Sequence, residues 1–259
     1  MTVLQSTSAQ AGASSLPAVS LRALTKRFGT GPKVLDDVSL DVAQGEFLCL
    51  LGASGCGKST LLNLVAGLDA PTAGTVDVPD GRPALMFQEP ALFPWLTAQQ
   101  NVELALRLRG VGKKERRERS GELLQLVRLG DAGAKRVHEL SGGMRQRVAM
   151  ARALAQESRV LLMDEPFAAL DAITRDVLHE ELVRIRGSQR LTVLFVTHNV
   201  REAVRLGERV VLLSSRPGRV AREYAVRIEQ PRRIESPEVA RLSVQITDDL
   251  RAEIRRHAA

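Results

Sequence analysis

Runs of apolar residues along the chain predict strands that alternate with helices. Apolar and polar residues alternate over 19–24 and 38–42, which is typical of strands that bury one face. Continuous apolar runs, which suit strands buried on both faces, occur at 47–51, 84–87, 160–163, 192–196 and 210–213. Helical spacing occurs at 58–68, near 171–187 and near 199–206. This alternation predicts right-handed crossovers and a largely parallel sheet.

The stretch 97–156 has a different pattern. It contains no good strand and predicts helices over about 97–109, 113–128 and 143–156, which indicates a helical subdomain inserted into an α/β core. Towards the carboxyl terminus, the pattern predicts a short strand at 219–228, breaks at Pro231 and Pro237, and a helix at 237–255.

The same patterns predict the domain organisation. Residues 1–21 carry no charge and lack the basic start and apolar core of a secretory signal, so 1–17 are predicted to be a disordered leader. The main domain is expected over 18–230, with the helical subdomain at about 95–157, and a helical tail over 231–259.

Composition excludes several classes of protein. Of the 259 residues, 44% are hydrophobic, which is normal for a globular protein and excludes wholesale disorder. No run approaches the roughly 18 apolar residues that a membrane-spanning helix needs. Two cysteines, Cys49 and Cys56, are too few for a four-thiolate metal site and favour a reduced, cytosolic protein. The net charge of +7 invites nucleic acid or an anionic membrane, but charge alone indicates association rather than chemistry.

A glycine-rich loop follows the buried run at 47–51 and precedes the predicted helix at 58–68. Residues 52–60 fit Gly-x4-Gly-Lys-Ser/Thr in the strand–loop–helix context that this motif requires. Glycines let successive N–H groups point into one concavity, where they and the helix N-terminus favour phosphate oxygens. Lys58 would supply a charge for the β- and γ-phosphates, and the Ser59 hydroxyl is placed to bind Mg²⁺. The alternative is a glycine-rich turn without a ligand.

Two carboxylates and a histidine follow two other buried runs. Asp164 and Glu165 end the strand predicted at 160–163, and buried charges of this kind need a partner. Nucleotide-bound Mg²⁺ would supply that partner to Asp164, and Glu165 would polarise the attacking water. A solvent-exposed strand end is the alternative. His198 follows the run at 192–196, where α/β sites lie, although a lone histidine is usually structural.

A Ser-Gly-Gly sequence precedes the helix predicted at 143–156. Ser141 is a natural N-cap for that helix. Ser141, Gly142 and Gly143 together would also offer a hydroxyl and bare N–H groups to a second anion. The residues alone leave both interpretations open.

Taken together, these motifs resemble the ATP-binding subunit of ATP-binding-cassette (ABC) transporters over about residues 18–228. Five elements match in order: residues 52–60 (Walker A), Gln88 (Q-loop), 140–144 (signature), 161–165 (Walker B) and His198 (switch histidine). Residues 169–171 also match the D-loop. The resemblance implies an α/β P-loop NTPase cassette with a RecA-like parallel-sheet core, an antiparallel β subdomain and an inserted helical subdomain.

The resemblance also assigns roles to matching residues. Phe28 would stack on adenine, Gln88 would sense the γ-phosphate, and Glu165 and His198 would be catalytic. The loop residues that would bind ATP are Gly52, Ala53, Ser54, Gly55, Cys56, Gly57, Lys58, Ser59 and Thr60. Ser59, Gln88 and Asp164 would hold Mg²⁺. Ser141, Gly142 and Gly143 would close over ATP bound to a second copy in a head-to-tail dimer, although Met144 stands where Gln is commonest.

Further local features narrow the class. Residues 88–97, 165–175 and 231–233 are similar to importer ATPases for nitrate, sulfonates, taurine and bicarbonate. The resemblance implies an ATP-hydrolysing motor that drives import of a small anion through a membrane permease. It implies a peripheral location on the cytoplasmic face of the inner membrane. A periplasmic or extracellular solute-binding protein would be an indirect partner, and no nucleic acid is expected.

Two local features, an aromatic cluster and a basic stretch, each allow two interpretations. Phe93, Pro94 and Trp95 either pack in the helical subdomain or form a groove for a short helix of a permease. Seven of the nine charged residues in 107–119 are basic, which indicates either a solvated helix face or attraction to anionic lipid.

Two rival functions remain from other classes, beside an importer for another solute. A soluble ABC ATPase that acts on nucleic acid is disfavoured because the stretch between Lys58 and Ser141 leaves no room for a long coiled coil, and there is one cassette. A regulatory or storage module without catalysis is disfavoured by the intact Asp164, Glu165 and His198.

Overall fold

The computed structural model describes residues 16–256. The leader predicted at 1–17 therefore lies outside the described residues, apart from Leu16 and Pro17. The described chain has nine strands, β1 (Val19–Arg27), β2 (Lys33–Val42), β3 (Phe47–Leu51), β4 (Ala73–Asp77), β5 (Ala84–Met86), β6 (Val160–Asp164), β7 (Thr192–Val196), β8 (Arg209–Leu213) and β9 (Val220–Ala225). It has seven α-helices, α1 (Lys58–Val65), α2 (Ala98–Leu108), α3 (Lys113–Leu126), α4 (Gly142–Leu154), α5 (Ala172–Gln189), α6 (Val200–Leu206) and α7 (Pro237–Arg256).

The central sheet has six strands in the order β5-β6-β7-β3-β8-β9. The first five are parallel to one another, and β9 pairs antiparallel with β8. This arrangement confirms the α/β fold and its largely parallel sheet. Strands β6, β7 and β3 are adjacent, so the segments that follow their carboxyl ends meet at one edge of the sheet.

Strand β3 separates two hydrophobic cores, which explains why its sequence is apolar throughout. Its alternate residues Phe47, Cys49 and Leu51 belong to a core shared with the helical region and with helices α5 to α7. Leu48 and Leu50 belong to a second core shared with α1, β1 and β2. All five side chains are fully buried.

A second sheet, with the order β2-β1-β4, is antiparallel. The alternating patterns at 19–24 and 38–42 lie in its first two strands, which run further than the patterns indicated. The third strand, β4, was not predicted because its side chains are exposed or half-buried and show no apolar pattern.

Helix α1 ends at Val65, so the prediction of a helix over 58–68 was too long. Gly67 has a φ of 68°, and the Leu68 N–H donates to the Asn63 carbonyl at 2.9 Å. A left-handed glycine with such a backward hydrogen bond is a common helix end, because glycine adopts that conformation without a Cβ penalty.

Helices α2, α3 and α4 form the helical region between β5 and β6. Part of the basic stretch 107–119 forms ion pairs within this region: Arg109 and Arg119 each lie 2.6 Å from Glu157. The boundaries 95–157, 18–230 and 231–259 stay predictions. Among residues 16–256, no helix has the length and apolar character to span a membrane.

Candidate functional site

The glycine-rich loop joins β3 to α1 and has the curled backbone that its sequence predicted. Gly55 and Gly57 have φ angles of 76° and 101°, a region that side-chain-bearing residues rarely adopt. A Cβ on Gly52 would lie 2.6 Å from the Cys56 Sγ, so the loop is closely packed around the buried Cys56. The Lys58 ammonium donates to the carbonyls of Gly52 and Ala53, at 2.9 and 3.1 Å, and is thereby held across the loop.

A cleft of about 350 Å³ opens beside this loop. It brings together residues that are far apart in the sequence but follow neighbouring strands. Its lining comprises Val34, Ser54, Gly55, Gly57, Lys58, Ser59, Thr60, Gln88, Asp164 and Glu165. Nine of these ten residues are among the candidate site residues from the sequence.

Asp164 and Ser59 form the oxygen-rich part of the cleft. Burial raises the pKa of Asp164 above its ordinary value, and the neighbouring Glu165 charge adds to this effect. A hydrogen bond from the Ser59 side chain and the charge of Lys58 act in the opposite direction. A carboxylate destabilised by burial, together with hydroxyl and amide oxygens from Ser59 and Gln88, fits a hard divalent cation such as Mg²⁺.

Glu165 and His198 lie in direct contact. His198 Nδ1 is 2.9 Å from Glu165 Oε2, although 33 residues separate them. Glu165 is a non-glycine residue with a φ of 43°, and its N–H donates to the Val196 carbonyl at 3.0 Å. Such strained backbone geometry is concentrated at functional sites. The Glu165 backbone is therefore held at the cleft wall by a bond to the end of β7, and its carboxylate contacts His198.

Several predicted residues lie outside the cleft lining. Gly52, Ala53 and Cys56 form the back of the loop, and His198 reaches the cleft through Glu165. Phe28 lies in the turn after β1, is 54% exposed, and has the Lys26 ammonium 4.7 Å from its ring centroid.

Ser141, Gly142 and Gly143 also lie apart from the cleft. Ser141 is the N-cap of α4, and its Oγ accepts from the Met144 N–H at 3.3 Å. Ser141 and Gly142 are exposed, whereas Gly143 is buried against Thr174 at the start of α5. The N-cap predicted for Ser141 is therefore present, and Ser141 and Gly142 remain exposed to solvent.

Helix α4 connects this exposed corner to Gln88. The Gln146 amide donates to the Gln88 carbonyl at 3.0 Å. Further along the helix, Arg152 donates to the carbonyls of Pro90 and Ala91 at 2.8 and 2.7 Å. The Gln88 segment and the Ser141 corner are thus attached to one rigid element.

Two parts of the site were missed from the sequence. Val34 lines the cleft, and its single apolar side chain at the start of β2 gave no signal. The loop after β8 packs behind the phosphate loop, where Arg216 Nε donates to the Gly55 carbonyl at 3.4 Å. The Arg-Pro-Gly sequence at 216–218 predicts a turn, but not what it contacts.

A parallel α/β sheet with a glycine-rich loop and two carboxylates at its carboxyl edge defines a P-loop nucleotide-binding protein. The ABC transporter family model matches residues 35–168. The chain therefore belongs to the ABC transporter family, whose ATP-binding cassettes hydrolyse ATP to power transport.

Relatives and solved structures agree with this assignment. The taurine import ATP-binding protein of Mesorhizobium japonicum is 51% identical over 76% of this chain and 79% of its own length. The aliphatic sulfonates import ATP-binding protein of Agrobacterium fabrum is 46% identical over 90% and 83%. The nitrate import ATP-binding protein of Synechocystis is 47% identical over 75% and 76%. The dimeric post-hydrolysis structure of the cassette MJ0796 with ADP and phosphate has a TM-score of 0.72 at 35% identity, over 82% of this chain and 100% of that one.

Proposed function

We propose that the protein is the ATP-hydrolysing subunit of an ABC importer for a small anion of the taurine, sulfonate, nitrate or bicarbonate class. Two copies would meet head to tail and bind a membrane permease on the cytoplasmic face of the inner membrane. A periplasmic or extracellular solute-binding protein would deliver the solute.

The proposal rests on the separation, on one chain, of two features that suit anions. Lys58, Asp164 and Glu165 share a cleft, whereas Ser141 and Gly142 are exposed elsewhere with bare helix-start N–H groups. A second copy, placed head to tail, would bring its Ser141 corner over the nucleotide in this cleft. The solved dimeric cassettes with similar folds support the formation of a dimer.

The cleft supplies the groups that nucleotide binding requires. Backbone N–H groups of the loop and the Lys58 ammonium would hold the phosphates, and Phe28 would stack on the adenine. Ser59, Asp164 and Gln88 would hold Mg²⁺, which when bound offsets the charge of the β- and γ-phosphates. Lys58 would then exchange the carbonyls that it contacts now for phosphate oxygens.

Glu165 and His198 would direct hydrolysis. Glu165 would accept a proton from the attacking water, while His198, bonded to the carboxylate, would orient it and contact the γ-phosphate. Lys58 and the partner's Ser141 corner would stabilise negative charge on the transferring phosphoryl group. In this dimer, the cleft of one copy and the Ser141 corner of the other would form a single site.

The proposed class of solute is inferred from the names of the relatives. Proteins named for the import of taurine, sulfonates and nitrate all match three quarters or more of this chain. These solutes share a small size and an anionic oxygen group. The solute would pass through the permease and not touch this subunit, so transport assays must identify it.

ATP-dependent dimerisation tests the proposal. Glu165→Gln should bind ATP and remain dimeric on gel filtration because hydrolysis, which reopens the dimer, is slowed by about a hundredfold or more. Adding Ser141→Arg should return the protein to a monomer, because the larger cation would block the second anion contact. Adding Ser188→Arg instead, at an exposed serine near the end of α5, should leave the dimer intact.

Hydrolysis at the normal rate by Glu165→Gln would contradict the catalytic assignment. An ATP-bound dimer unaffected by Ser141→Arg would contradict the head-to-tail arrangement. Affinity purification of the native protein separates the partners: a membrane permease supports the importer, whereas a nucleic acid or no partner counts against it.

A further inference from the structure

A buried histidine, His179, lies beneath both segments that present Glu165 and His198. It belongs to the middle of α5 and is 1% exposed. Its Nε2 is 2.7 Å from Glu202 Oε1, and its ring packs edge-on against Phe167, with centroids 5.5 Å apart. Phe167 is two residues from Glu165, and Glu202 lies in the helix that follows His198.

The contact with Glu202 continues to the turn that carries His198. Glu202 is 6% exposed, and its second oxygen accepts a hydrogen bond from the Thr197 hydroxyl. The Thr197 oxygen accepts in turn from the Asn199 N–H at 3.0 Å. The residues on both sides of His198 are thus joined through one hydroxyl to the Glu202–His179 pair.

The contact between His179 and Phe167 connects His179 to the segment that carries Glu165. The Phe167 carbonyl accepts from Arg175 Nε at 3.3 Å, and the ring also lies 6.0 Å from the Phe195 ring on β7. Phe167 therefore packs against both the His179 ring and the Phe195 ring. Movement of the His179 ring would therefore be transmitted to the Glu165 segment by packing and to the His198 turn by hydrogen bonds.

Two charged side chains lie near the other ring nitrogen of His179, Nδ1. His179 Nδ1 is 3.5 Å from Arg205 Nη1 and 3.9 Å from Asp176 Oδ1. A proton on Nε2 would be donated to the Glu202 carboxylate oxygen 2.7 Å away. Removing this donor would leave the Glu202 carboxylate with the Thr197 hydroxyl as its remaining side-chain donor within residues 16–256. An underpaired buried polar group is costly, so this change favours a rearrangement of Glu202 and of the Thr197 hydroxyl bonded to it.

We propose that His179 is a positioning residue that sets the placement of His198 relative to Glu165. This inference rests on the proposed function, because it assumes that these two residues direct hydrolysis. His179 itself does not contact the cleft. It acts through Glu202 and Thr197 on one side and through Phe167 on the other.

The test is steady-state ATP hydrolysis by variants of the full chain. His179→Phe retains a ring against Phe167 but removes the donor to Glu202, and should lower kcat about tenfold while changing KM for ATP less than about twofold. His179→Gln restores a donor and should recover most of the lost kcat. Thr197→Val, which breaks the same connection at its other end, should lower kcat in the same way and serves if the phenylalanine variant does not fold.

Two controls separate positioning from general destabilisation. Ile185→Ala removes a buried side chain about two turns further along α5, and should lower the melting temperature while leaving kcat within about twofold. In a His198→Ala background, His179→Phe should cause little further loss of the residual rate, since both act through one side chain.

The outcomes distinguish this inference from the proposed function. Normal hydrolysis by Glu165→Gln or His198→Ala would overturn the catalytic assignment, and the role of His179 with it. If those variants lose activity, a normal kcat in His179→Phe and Thr197→Val would overturn only the positioning role. A kcat loss that Ile185→Ala reproduces, or that adds fully to His198→Ala, would also overturn it.

Discussion

Gly218, a residue outside the phosphate loop, packs directly against the back of that loop. A Cβ on Gly218 would lie 2.1 Å from the Cys56 carbonyl oxygen and 3.1 Å from Leu35 Cδ2. Its N–H donates to the Val34 carbonyl at 2.8 Å, and its carbonyl accepts from the Asp36 N–H at 3.0 Å. Gly218 is therefore fixed by hydrogen bonds where no side chain fits.

Gly218→Ala should destabilise the protein by about 1–3 kcal/mol and weaken ATP binding by about tenfold. The reason is that the added methyl group meets backbone, which cannot turn aside as a flexible side chain could. Thermal denaturation and nucleotide titration measure the two effects.

Gly187→Ala is the matched control for this substitution. Gly187 lies in α5, and a Cβ added there would have no atom within 4 Å, so alanine should stabilise the protein by about 0.4–1 kcal/mol and leave ATP binding unchanged. Equal effects of the two substitutions would contradict the packing argument.

Among single residues, the sequence predicted those whose function depends on a motif of consecutive residues. The spacing from Gly52 to Thr60 predicted the loop, and its lysine and serine are in the cleft. The roles of Gly218 and His179 could not be predicted, because each depends on a contact with a segment far away in the chain. A glycine in a turn and a histidine in a helix carry no local sign of such contacts.

Among the elements, buried strands were the most predictable and exposed ones the least. The apolar runs at 47–51, 160–163 and 192–196 became β3, β6 and β7, because burial on both faces requires apolar residues throughout. β4 escaped detection because it is held by backbone pairing with β1 rather than by burial of its side chains.

The tail helix α7 was predicted, but its attachment was not. Val239 and Ile246 are buried in the core shared with α6, and Asp249 accepts from the Tyr224 hydroxyl on β9 at 2.7 Å. Arg222 lies 2.6 Å from the same carboxylate. These bonds hold the pKa of Asp249 below its ordinary value, with the Tyr224 hydrogen bond as the larger cause.

Asp249→Asn should lower stability by about 1 kcal/mol at pH 7. Because the folded-state pKa of Asp249 is lowered, its stabilising effect is fully present above the unfolded value of about 4 and is lost as the pH falls through the folded value. The difference between variant and parent should therefore shrink below about pH 4. Denaturant unfolding at a series of pH values measures it.

The neighbouring Asp248 provides the control. Its carboxylate is 66% exposed and 3.6 Å from Arg251, so Asp248→Asn should change stability by less than about 0.5 kcal/mol at pH 7. A difference for Asp249→Asn that persists unchanged at low pH would count against the ionic attachment of α7.

For the whole molecule, the sequence left open whether Phe93 and Trp95 pack in the helical subdomain or bind a permease. Trp95 is 66% exposed, so it is not a core residue, and its ring lies 5.4 Å from that of Phe93. The loop that carries them is held by the buried Asn101, which accepts from the Phe93 N–H at 2.8 Å and donates to the Thr97 carbonyl at 2.9 Å. A rigid loop that displays aromatic side chains is typical of a binding surface.

This surface is connected to the nucleotide site in one continuous path. Helix α4 holds the Gln88 segment through Gln146 and Arg152, and the aromatic pair follows that segment directly. A partner bound at the aromatic pair would therefore be attached to the same helix that Ser141 caps. We expect the permease to bind here, since closure of two cassettes would then move the partner.

Trp95→Ala should detach the protein from membranes that contain its permease, because an exposed aromatic anchor contributes about 2 kcal/mol or more to such an interface. ATP hydrolysis by the isolated subunit should stay within about twofold of normal, since Trp95 does not line the cleft. Leu108→Ala removes another exposed apolar side chain, 82% exposed at the far end of α2, and should leave membrane association intact. Sedimentation of native vesicles measures the bound fraction. A membrane-bound fraction of Trp95→Ala equal to that of the parent would place the permease contact elsewhere. A reduced bound fraction for both variants would indicate an unspecific apolar attachment.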